Sequence, residues 1–230
     1  MKSLDHPDIN GIQLVSYDFT RAFDKLCHST IIDRLQQINA PIEFIAWLCS
    51  YLKDRTQSVK IGNSISASAS VLSGVPQGSI LGPFLFSLVI ATYNPITDHT
   101  LVVKFADDII SAFPLFKNSD NSYIHDEHAG LLNWSNKNNL ILHPDKSKSL
   151  TISHCNNTDV NSVSLNKVQE VDSVKLLGVI FSSNCSWKKH ISNIVSTASR
   201  KLHILRVLKK FLPKSELINV YFASIRSSLE

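Results

Sequence analysis

Nothing in this 230-residue chain approaches the run of about 18 apolar residues that a membrane span needs. Its first residues, MKSLDHPDIN, also lack the apolar core of a secretory leader. Those two absences predict a soluble, unsecreted chain with no membrane partner. Cys27, Cys49, Cys155 and Cys185 are far apart, with no Cys-x-x-Cys pair and no histidine spaced to complete a zinc site. Free thiols in a reducing compartment are therefore expected. No repeat or low-complexity linker interrupts the sequence, and 43% hydrophobic residues suffice for a packed core. Acid is missing from one long stretch: between Trp187 and Lys214 stand eight Lys or Arg residues and no Asp or Glu. A basic arm thus follows a mildly acidic body. Its residues Ile191, Ile194, Val195, Ala198, Leu202, Leu205 and Leu208 recur at three and four, which predicts a long amphipathic helix packed on one side. The other side is a phosphate-binding candidate or a solvated face.

What the chain does have begins with Asp107 and Asp108, set between the apolar runs Leu101 to Phe105 and Ile109 to Phe113. The runs are short and rich in Val, Ile and Phe, so the acids are expected at the tip of a β-hairpin. Such tips favour Asn-Gly or Asp-Gly because the turn needs positive φ, and this one has no glycine. Adjacent carboxylates repel, and hard Mg²⁺ would remove the repulsion while keeping positions for water and phosphate. Taken alone, the pair is more simply a solvated turn. Two further stretches change the weighing. In Val15 to Asp24 (VSYDFTRAFD), a strand from Leu14 to Phe19 places Asp18 near its end. A helix follows, capped by Ser29, with Ile31, Leu35 and Ile38 inward. In Ser73 to Pro83 (SGVPQGSILGP), glycines and a proline fix a loop ahead of an apolar helix, letting backbone N–H groups and Gln77 approach a ligand.

In that order, YDFTRAFD, SGVPQGSILGP and FADD, the chain closely resembles the reverse transcriptases of non-LTR retrotransposons. LILHPDKSKSL (Leu140 to Leu150) and KLLGVIF (Lys175 to Phe181) stand where the family carries its next two motifs, so the resemblance covers about residues 9 to 230. It implies an RNA-directed DNA polymerase core. In that reaction a primer 3′-hydroxyl attacks the α-phosphorus of a dNTP between two metal ions about 4 Å apart. Asp18, Asp107 and Asp108 are then the metal ligands, with the Phe19 carbonyl as a further one, for two Mg²⁺ ions or Mn²⁺ in their place. Asp24 is expected to be a structural cap or salt-bridge partner.

The same resemblance places Arg21, Ala22, Phe23, Gln77 and Gly78 about the dNTP, and Gly74, Val75 and Pro76 at the template base. The Phe23 ring would exclude a 2′-hydroxyl, although in isolation it is a core phenylalanine. Arg21 equally suits a surface ion pair. Lys146 matches the lysine proposed to protonate the leaving pyrophosphate, with Lys148 as a rival. His143 and Asn139 stand where the family carries asparagine and glycine, a departure that bears on the local turn. Leu177 and Gly178 would grip the primer backbone, and Lys188, Lys189, Arg200 and Lys201 the template and primer. Trp187 would cap the thumb helix or fill core.

The order of elements predicts an α+β layer, an antiparallel sheet with helices on one face. By resemblance this is a polymerase-type palm over residues 1–183, followed by the helical start of a basic thumb over 184–230. A second helix is expected from Pro41, with Ile42, Ile45, Cys49 and Leu52 inward. A third runs from Pro83 to about Thr92, and a fourth from Asn118 to Asn139 buries Leu131, Leu132 and Trp134. Strands are expected at Thr56 to Ile61 and Ser68 to Leu72, joined through Gly62-Asn63. Others fall near Ser149 to Ser153, Ser162 to Leu165 and Val174 to Ser182. Pro213 should end the basic helix, with another beginning at Lys214. Only seventeen residues precede Asp18, where the family has a fingers region. A piece of a longer polyprotein, or a truncated genomic copy, is therefore expected, with an RNA template, a DNA primer, dNTP and the remaining polyprotein (fingers, endonuclease) as partners. Two other readings stay open: a catalytically silent remnant that keeps the fold and binds nucleic acid, and a different two-metal enzyme such as a nuclease. The nuclease explains the acids but not the Pro-Gln-Gly loop.

Overall fold

The computed structural model describes residues 7–117, 119–143, 145–153 and 162–229. They fall into two compact units, one up to Val171 and one from Asp172. In chain order the first unit holds β1 (Ile9–Tyr17), α1 (Ala22–Lys25), α2 (His28–Gln37) and α3 (Ile42–Leu52). Next come β2 (Thr56–Gln57), β3 (Lys60–Ile61), β4 (Ser64–Ile65), β5 (Ala69–Ser70) and α4 (Leu81–Ile90). β6 (Leu101–Phe105), β7 (Asp108–Phe116), α5 (Tyr123–Lys137), β8 (Lys148–Ser153) and β9 (Gln169–Glu170) complete it. The second unit holds β10 (Ser173–Leu176), β11 (Val179–Ser182), α6 (Lys188–Leu208) and α7 (Lys214–Val220). The compactness break thus precedes the β10–β11 hairpin, whereas the motif-based division after residue 183 keeps that hairpin with the palm.

The first unit is organised on a five-stranded sheet in the order β6-β7-β1-β8-β9. β1 lies at its centre, antiparallel to both β7 and β8. Every second residue of β1 is buried, as a strand with one covered face requires. Val15, Tyr17, Ile109, Phe113 and Leu115 from that face join one cluster with Ile31 and Leu35 of α2, Leu48 of α3, Phe86 and Val89 of α4, and Leu131 of α5. The expected α+β palm, helices on one face of an antiparallel sheet, is thereby present. The edge strand β9 is an exception, running parallel to β8.

Several local expectations are corrected. Cys27, not Ser29, is the N-cap of α2, and no side chain caps it; Ser29 falls in the first turn with its hydroxyl 3.0 Å from the Cys27 thiol. Pro41 is the N-cap of α3, whose buried residues are Ile45, Leu48 and Leu52, while Ile42 and Cys49 are exposed. That helix is apolar almost all round, so its spacing admits two stripes, and the adjoining stripe carries a row of stacked rings, Phe44, Trp47 and Tyr51, of which Phe44 and Tyr51 also pack on the core. The two strands expected around Gly62-Asn63 are broken. β2 pairs with β5 and β3 with β4, and every paired residue is exposed, so no core imposes a continuous register.

Ser162 to Leu165 is not a strand. The buried Gln13 side chain supplies what a neighbouring strand would: its Oε1 accepts the Val163 N–H at 3.0 Å and its Nε2 donates to the Val163 carbonyl at 2.8 Å. The expected strand from Val174 to Ser182 is a hairpin turning at Leu177-Gly178. In α5, Leu131 is buried and Leu132 and Trp134 are half-buried, but the stripe also contains Ile124, Glu127, His128 and Ser135. α6 buries no residue: Ile194, Ala198, Leu205 and Leu208 are half-buried, and Ile191, Val195 and Leu202 are exposed. The basic helix ends at Leu208, ahead of Pro213, and α7 begins at Lys214 as expected, with Pro213 as its N-cap, continuing into a π-helical turn, Tyr221–Ile225, and a 3-10 turn, Arg226–Ser228. Cys27, Cys49 and Cys185 are free thiols, and Cys155 lies outside the described residues. Among the described residues no helix is long and apolar enough to cross a membrane.

Candidate active site

The register of the sheet brings the acids together. One step beyond the last β1–β7 pair, Tyr17 with Ile109, Asp18 comes level with Asp108. Phe105 pairs with Asp108 to close the β6–β7 hairpin, leaving Ala106-Asp107 as its two-residue turn. Ala106 takes the positive φ, 50°, that glycine would ordinarily supply. The Asp108 carboxyl is held above its ordinary range, first by burial and then by the charges of Asp107 and Asp18. Like charges thus meet at one end of the sheet, and among the described residues no Lys or Arg is paired with them. No three His, Cys, Asp or Glu side chains among the described residues converge tightly enough to enclose an ion as they stand. Two carboxylates felt by a third are still the hard, acidic donor set that a hard divalent cation suits.

Asp18 is gripped by the segment that carries Lys146. The Asp18 carbonyl accepts the His143 N–H at 2.7 Å, and the Asp18 N–H donates to the Ser147 hydroxyl at 3.2 Å. Phe19 forms an isolated antiparallel bridge with Leu142, and the Thr20 N–H donates to the Ile141 carbonyl at 2.8 Å. Lys146 is exposed between His143 and the fully buried Ser147, whereas Lys148 is a rung of β8 opposite Ser16. Asn139 adopts φ 57°, so the turn that glycine would make survives, asparagine being a residue that tolerates it.

Sequence reasoning missed the polar contacts that α5 makes with the start of β6 and with the end of β1. The buried Glu127 carboxylate accepts the backbone N–H groups of Ile96 and Thr97, at 3.0 and 2.7 Å, and the hydroxyls of Thr97 and Thr100, at 2.7 and 3.0 Å. Thr100 leads directly into β6. His128 stacks on Tyr17, the residue before Asp18, with ring centroids 5.8 Å apart and its Nδ1 3.4 Å from the Tyr17 hydroxyl. Burial lowers the His128 pKa and raises that of Tyr17. The available signal was position: Glu127 and His128 stand three and four residues from both Ile124 and Leu131, on the stripe where apolar residues are expected.

The glycine-rich loop packs against the segment after Asp18. Gly74 donates its N–H to the Leu26 carbonyl and Val75 to that of Phe23, both at 2.8 Å, and Val75 is buried. Arg21 is exposed with φ 50°, Ala22 is buried, and Phe23 is half-buried with its ring 4.8 Å from that of Phe86. Pro76 is half-buried, and Gln77 and Gly78 are exposed. Among the described residues Asp24 caps no helix and makes no ion pair: its Oδ1 accepts from Gln77 Nε2 at 2.9 Å.

In the second unit Leu177 and Gly178 form an exposed turn, with φ 46° and 90°. Lys188 is exposed, Lys189 donates to the Ser173 hydroxyl at 3.1 Å, and Arg200 to that of Thr197 at 3.3 Å. The Lys201 ammonium is engaged within the unit, donating to the Ser224 carbonyl at 2.9 Å and to the Ser228 hydroxyl. Trp187 is the N-cap of α6, half-exposed, with its ring beside those of Phe181 and His190.

The family described as reverse transcriptase (RNA-dependent DNA polymerase) matches residues 7–181. The RNA-directed DNA polymerase from mobile element jockey of Drosophila melanogaster is 24% identical over 222 residues, covering 89% of this chain and 24% of that protein. The probable RNA-directed DNA polymerase from transposon X-element of the same organism is 28% identical over 187 residues, covering 77% of this chain and 20% of that protein. The chain thus spans about a quarter or less of the length of these relatives. Among solved structures, telomerase from Candida tropicalis in complex with a TWJ fragment of telomeric RNA matches with a TM-score of 0.57 at 12% identity, over 98% of this chain and 40% of that one. Apo telomerase from Candida tropicalis, truncated from its C-terminal domain, matches with a TM-score of 0.53 at 14% identity, over 76% of this chain and 35% of that one. At such identities the likeness shows the fold.

Proposed function

The chain belongs to the reverse transcriptase (RNA-dependent DNA polymerase) family, and on that premise we propose that it is the polymerase core of a mobile-element protein, extending a DNA primer on an RNA template. The observation that carries this reading is the meeting of Asp18 and Asp108 across β1 and β7, with Asp107 in the adjoining turn. These three carboxylates, with the Phe19 carbonyl, would hold two Mg²⁺ ions, or Mn²⁺. When bound, the ions neutralise charge on the attacking and leaving oxygens of the phosphoryl transfer. Phe23 and Gln77 bound the dNTP with Arg21, Ala22 and Gly78, Phe23 excluding a 2′-hydroxyl. Gly74, Val75 and Pro76 adjoin the template base. Lys146, which is exposed, serves the leaving pyrophosphate as the acid. Leu177, Gly178, Lys188, Lys189 and Arg200 contact primer and template phosphates. Lys201 serves the helix packing of its own unit first. The rest of a polyprotein, fingers and endonuclease included, supplies what these residues do not.

A second reading is a silent remnant that keeps the fold and binds nucleic acid. Primer extension on an RNA template with Mg²⁺ and dNTPs separates the two. It is measured for this chain and for a longer polypeptide containing it. Extension by either supports the polymerase. Salt-sensitive binding of primer–template by both, without extension by either, supports the remnant.

A further inference from the structure

We propose that Asp24 is a positioning residue for the nucleotide pocket, its carboxylate fixing the side-chain amide of Gln77 and so the outer half of the glycine-rich loop. The proposal rests on the reading of Gln77 as a dNTP-pocket residue. Asp24 lies in α1, not at the strand ends that carry Asp18, Asp107 and Asp108. Its Oδ1 instead accepts from Gln77 Nε2 at 2.9 Å, across fifty-three positions of sequence. A carboxylate only accepts hydrogen bonds, so this contact obliges Gln77 to turn its NH₂ toward Asp24 and its Oε1 away. Asparagine or water at that position would leave the amide free to take either orientation.

The rest of Asp24 faces the same loop. Its carbonyl accepts the Ser73 hydroxyl at 3.0 Å, and its backbone lies so close to Gly74 that a Cβ there would come within 2.7 Å. The bonds from Gly74 to Leu26 and from Val75 to Phe23 continue the seam on either side, and His28 Nε2 lies 2.8 Å from the Gly74 carbonyl. Residues 73–75 are therefore tied down through backbone. Beyond them Gly78, at φ 80°, has nothing within 4 Å of where a Cβ would stand. Between the backbone seam and that open glycine, the Asp24 carboxylate is the contact that fixes the Gln77 side chain. The bond is exposed, so its orienting preference is about three- to tenfold.

The test is single-nucleotide incorporation by a polypeptide containing this chain, for Asp24→Ala, Gln77→Ala, the double variant and Asp24→Asn. Asp24→Ala and Gln77→Ala should each raise KM for dNTP by about fivefold with kcat changed less than about twofold, and the double variant should be no worse than either. Asp24→Asn, which keeps an acceptor oxygen, should recover part of the loss. The proposal is overturned if Asp24→Ala leaves KM unchanged where Gln77→Ala raises it, or if the two effects multiply. If Gln77→Ala itself leaves KM unchanged, the pocket reading fails, and the clamp is decided by the ¹⁵N-labelled side-chain amide of Gln77 in this chain. Its two protons should resonate apart and exchange slowly with water, and should collapse toward free glutamine in Asp24→Ala. Identical spectra in the two proteins overturn the clamp.

Discussion

The acid edge and the glutamine loop, which one substrate would have to touch together, are held by opposite means. Asp18 and Asp108 ride on strands whose neighbours Tyr17 and Ile109 are fully buried, and α5 fastens both the β1 end and the approach to β6 from below. The loop from Ser73 to Gly78 has one buried apolar side chain, Val75, and is otherwise sewn to residues 23–28 by hydrogen bonds at its surface. Carboxylates that repel one another would spread if their backbone could yield, so they need a stiff base. A loop that must admit a nucleotide can be held by bonds that cost less to rearrange. Perturbing the first region should therefore change chemistry or global stability, and perturbing the second should change substrate affinity with little unfolding.

The largest effect is expected at the acid edge. If Asp108 is a metal ligand, Asp108→Asn removes its charge from a half-exposed position and should lower Mg²⁺-dependent extension by on the order of 10³-fold, about 4 kcal/mol of transition-state stabilisation, with an unchanged circular dichroism spectrum. Extension near the wild-type rate would take the acids out of the reaction. Next is the scaffold itself: Glu127→Ala leaves the buried Thr100 hydroxyl and the part-buried N–H groups of Ile96 and Thr97 without their acceptor, and should cost about 3 kcal/mol in denaturant unfolding. A cost below about 1 kcal/mol would mean that α5 does not brace β6.

This contrast also explains what could be foreseen from sequence. The β1 strand, the hairpin around Ala106-Asp107 and the helices α2, α4 and α5 were legible as elements, because alternation or helical spacing of their apolar residues admits one buried face; their limits were not, since β1 spans Ile9–Tyr17 rather than Leu14 to Phe19, and Ile38, expected inward, is the exposed C-cap of α2. Where the pattern admits two faces, as in α3, or none, as in the exposed ribbon β2–β5, the expectation slipped. Polar groups that serve as structure were not legible at all. Gln13 standing in for a strand, Ser147 and His143 holding Asp18, and Glu127 holding the approach to β6 join residues from 27 to 150 positions apart. No local propensity encodes such pairs. The motif residues were found because their order resembles a family, whereas Asp24 was misassigned because its partner, Gln77, lies across the fold.

In the loop, two glycines provide an internal control of moderate size. Gly74 and Gly78 share positive φ, 82° and 80°, but an added Cβ meets the Asp24 backbone at 2.7 Å in the first and nothing in the second. Gly78→Ala should cost about 1 kcal/mol from backbone strain alone, and Gly74→Ala about 2 kcal/mol, because the seam must also open. Faster amide exchange at Val75 in Gly74→Ala but not in Gly78→Ala would locate the difference in the seam. Equal costs at both positions would mean that the loop is not pressed on Asp24.

The smallest effect returns to the acid edge and reverses sign with metal. Because the Asp108 pKa is raised, ionising that carboxyl costs the folded state free energy. The cost is absent below the ordinary carboxylate range and complete once pH has passed the raised value. Without divalent ions, the first unit should lose stability as pH climbs from about 4 through that window. Asp107→Asn removes one of the two neighbouring charges, leaving burial, the larger cause, and Asp18. It should therefore stabilise the metal-free protein at neutral pH by only a few tenths of a kcal/mol, the scale of partly exposed charge pairs, and by nothing near pH 3. With Mg²⁺ present the order should invert, since an ion that binds only the folded acids stabilises the wild type more than a variant with one ligand fewer. Thermal midpoints of both proteins at the two pH values, in chelator and in Mg²⁺, decide the matter. A variant less stable than wild type in chelator at neutral pH would show that Asp107 makes a favourable contact, and that the acid edge is not under the electrostatic load that calls for a rigid base.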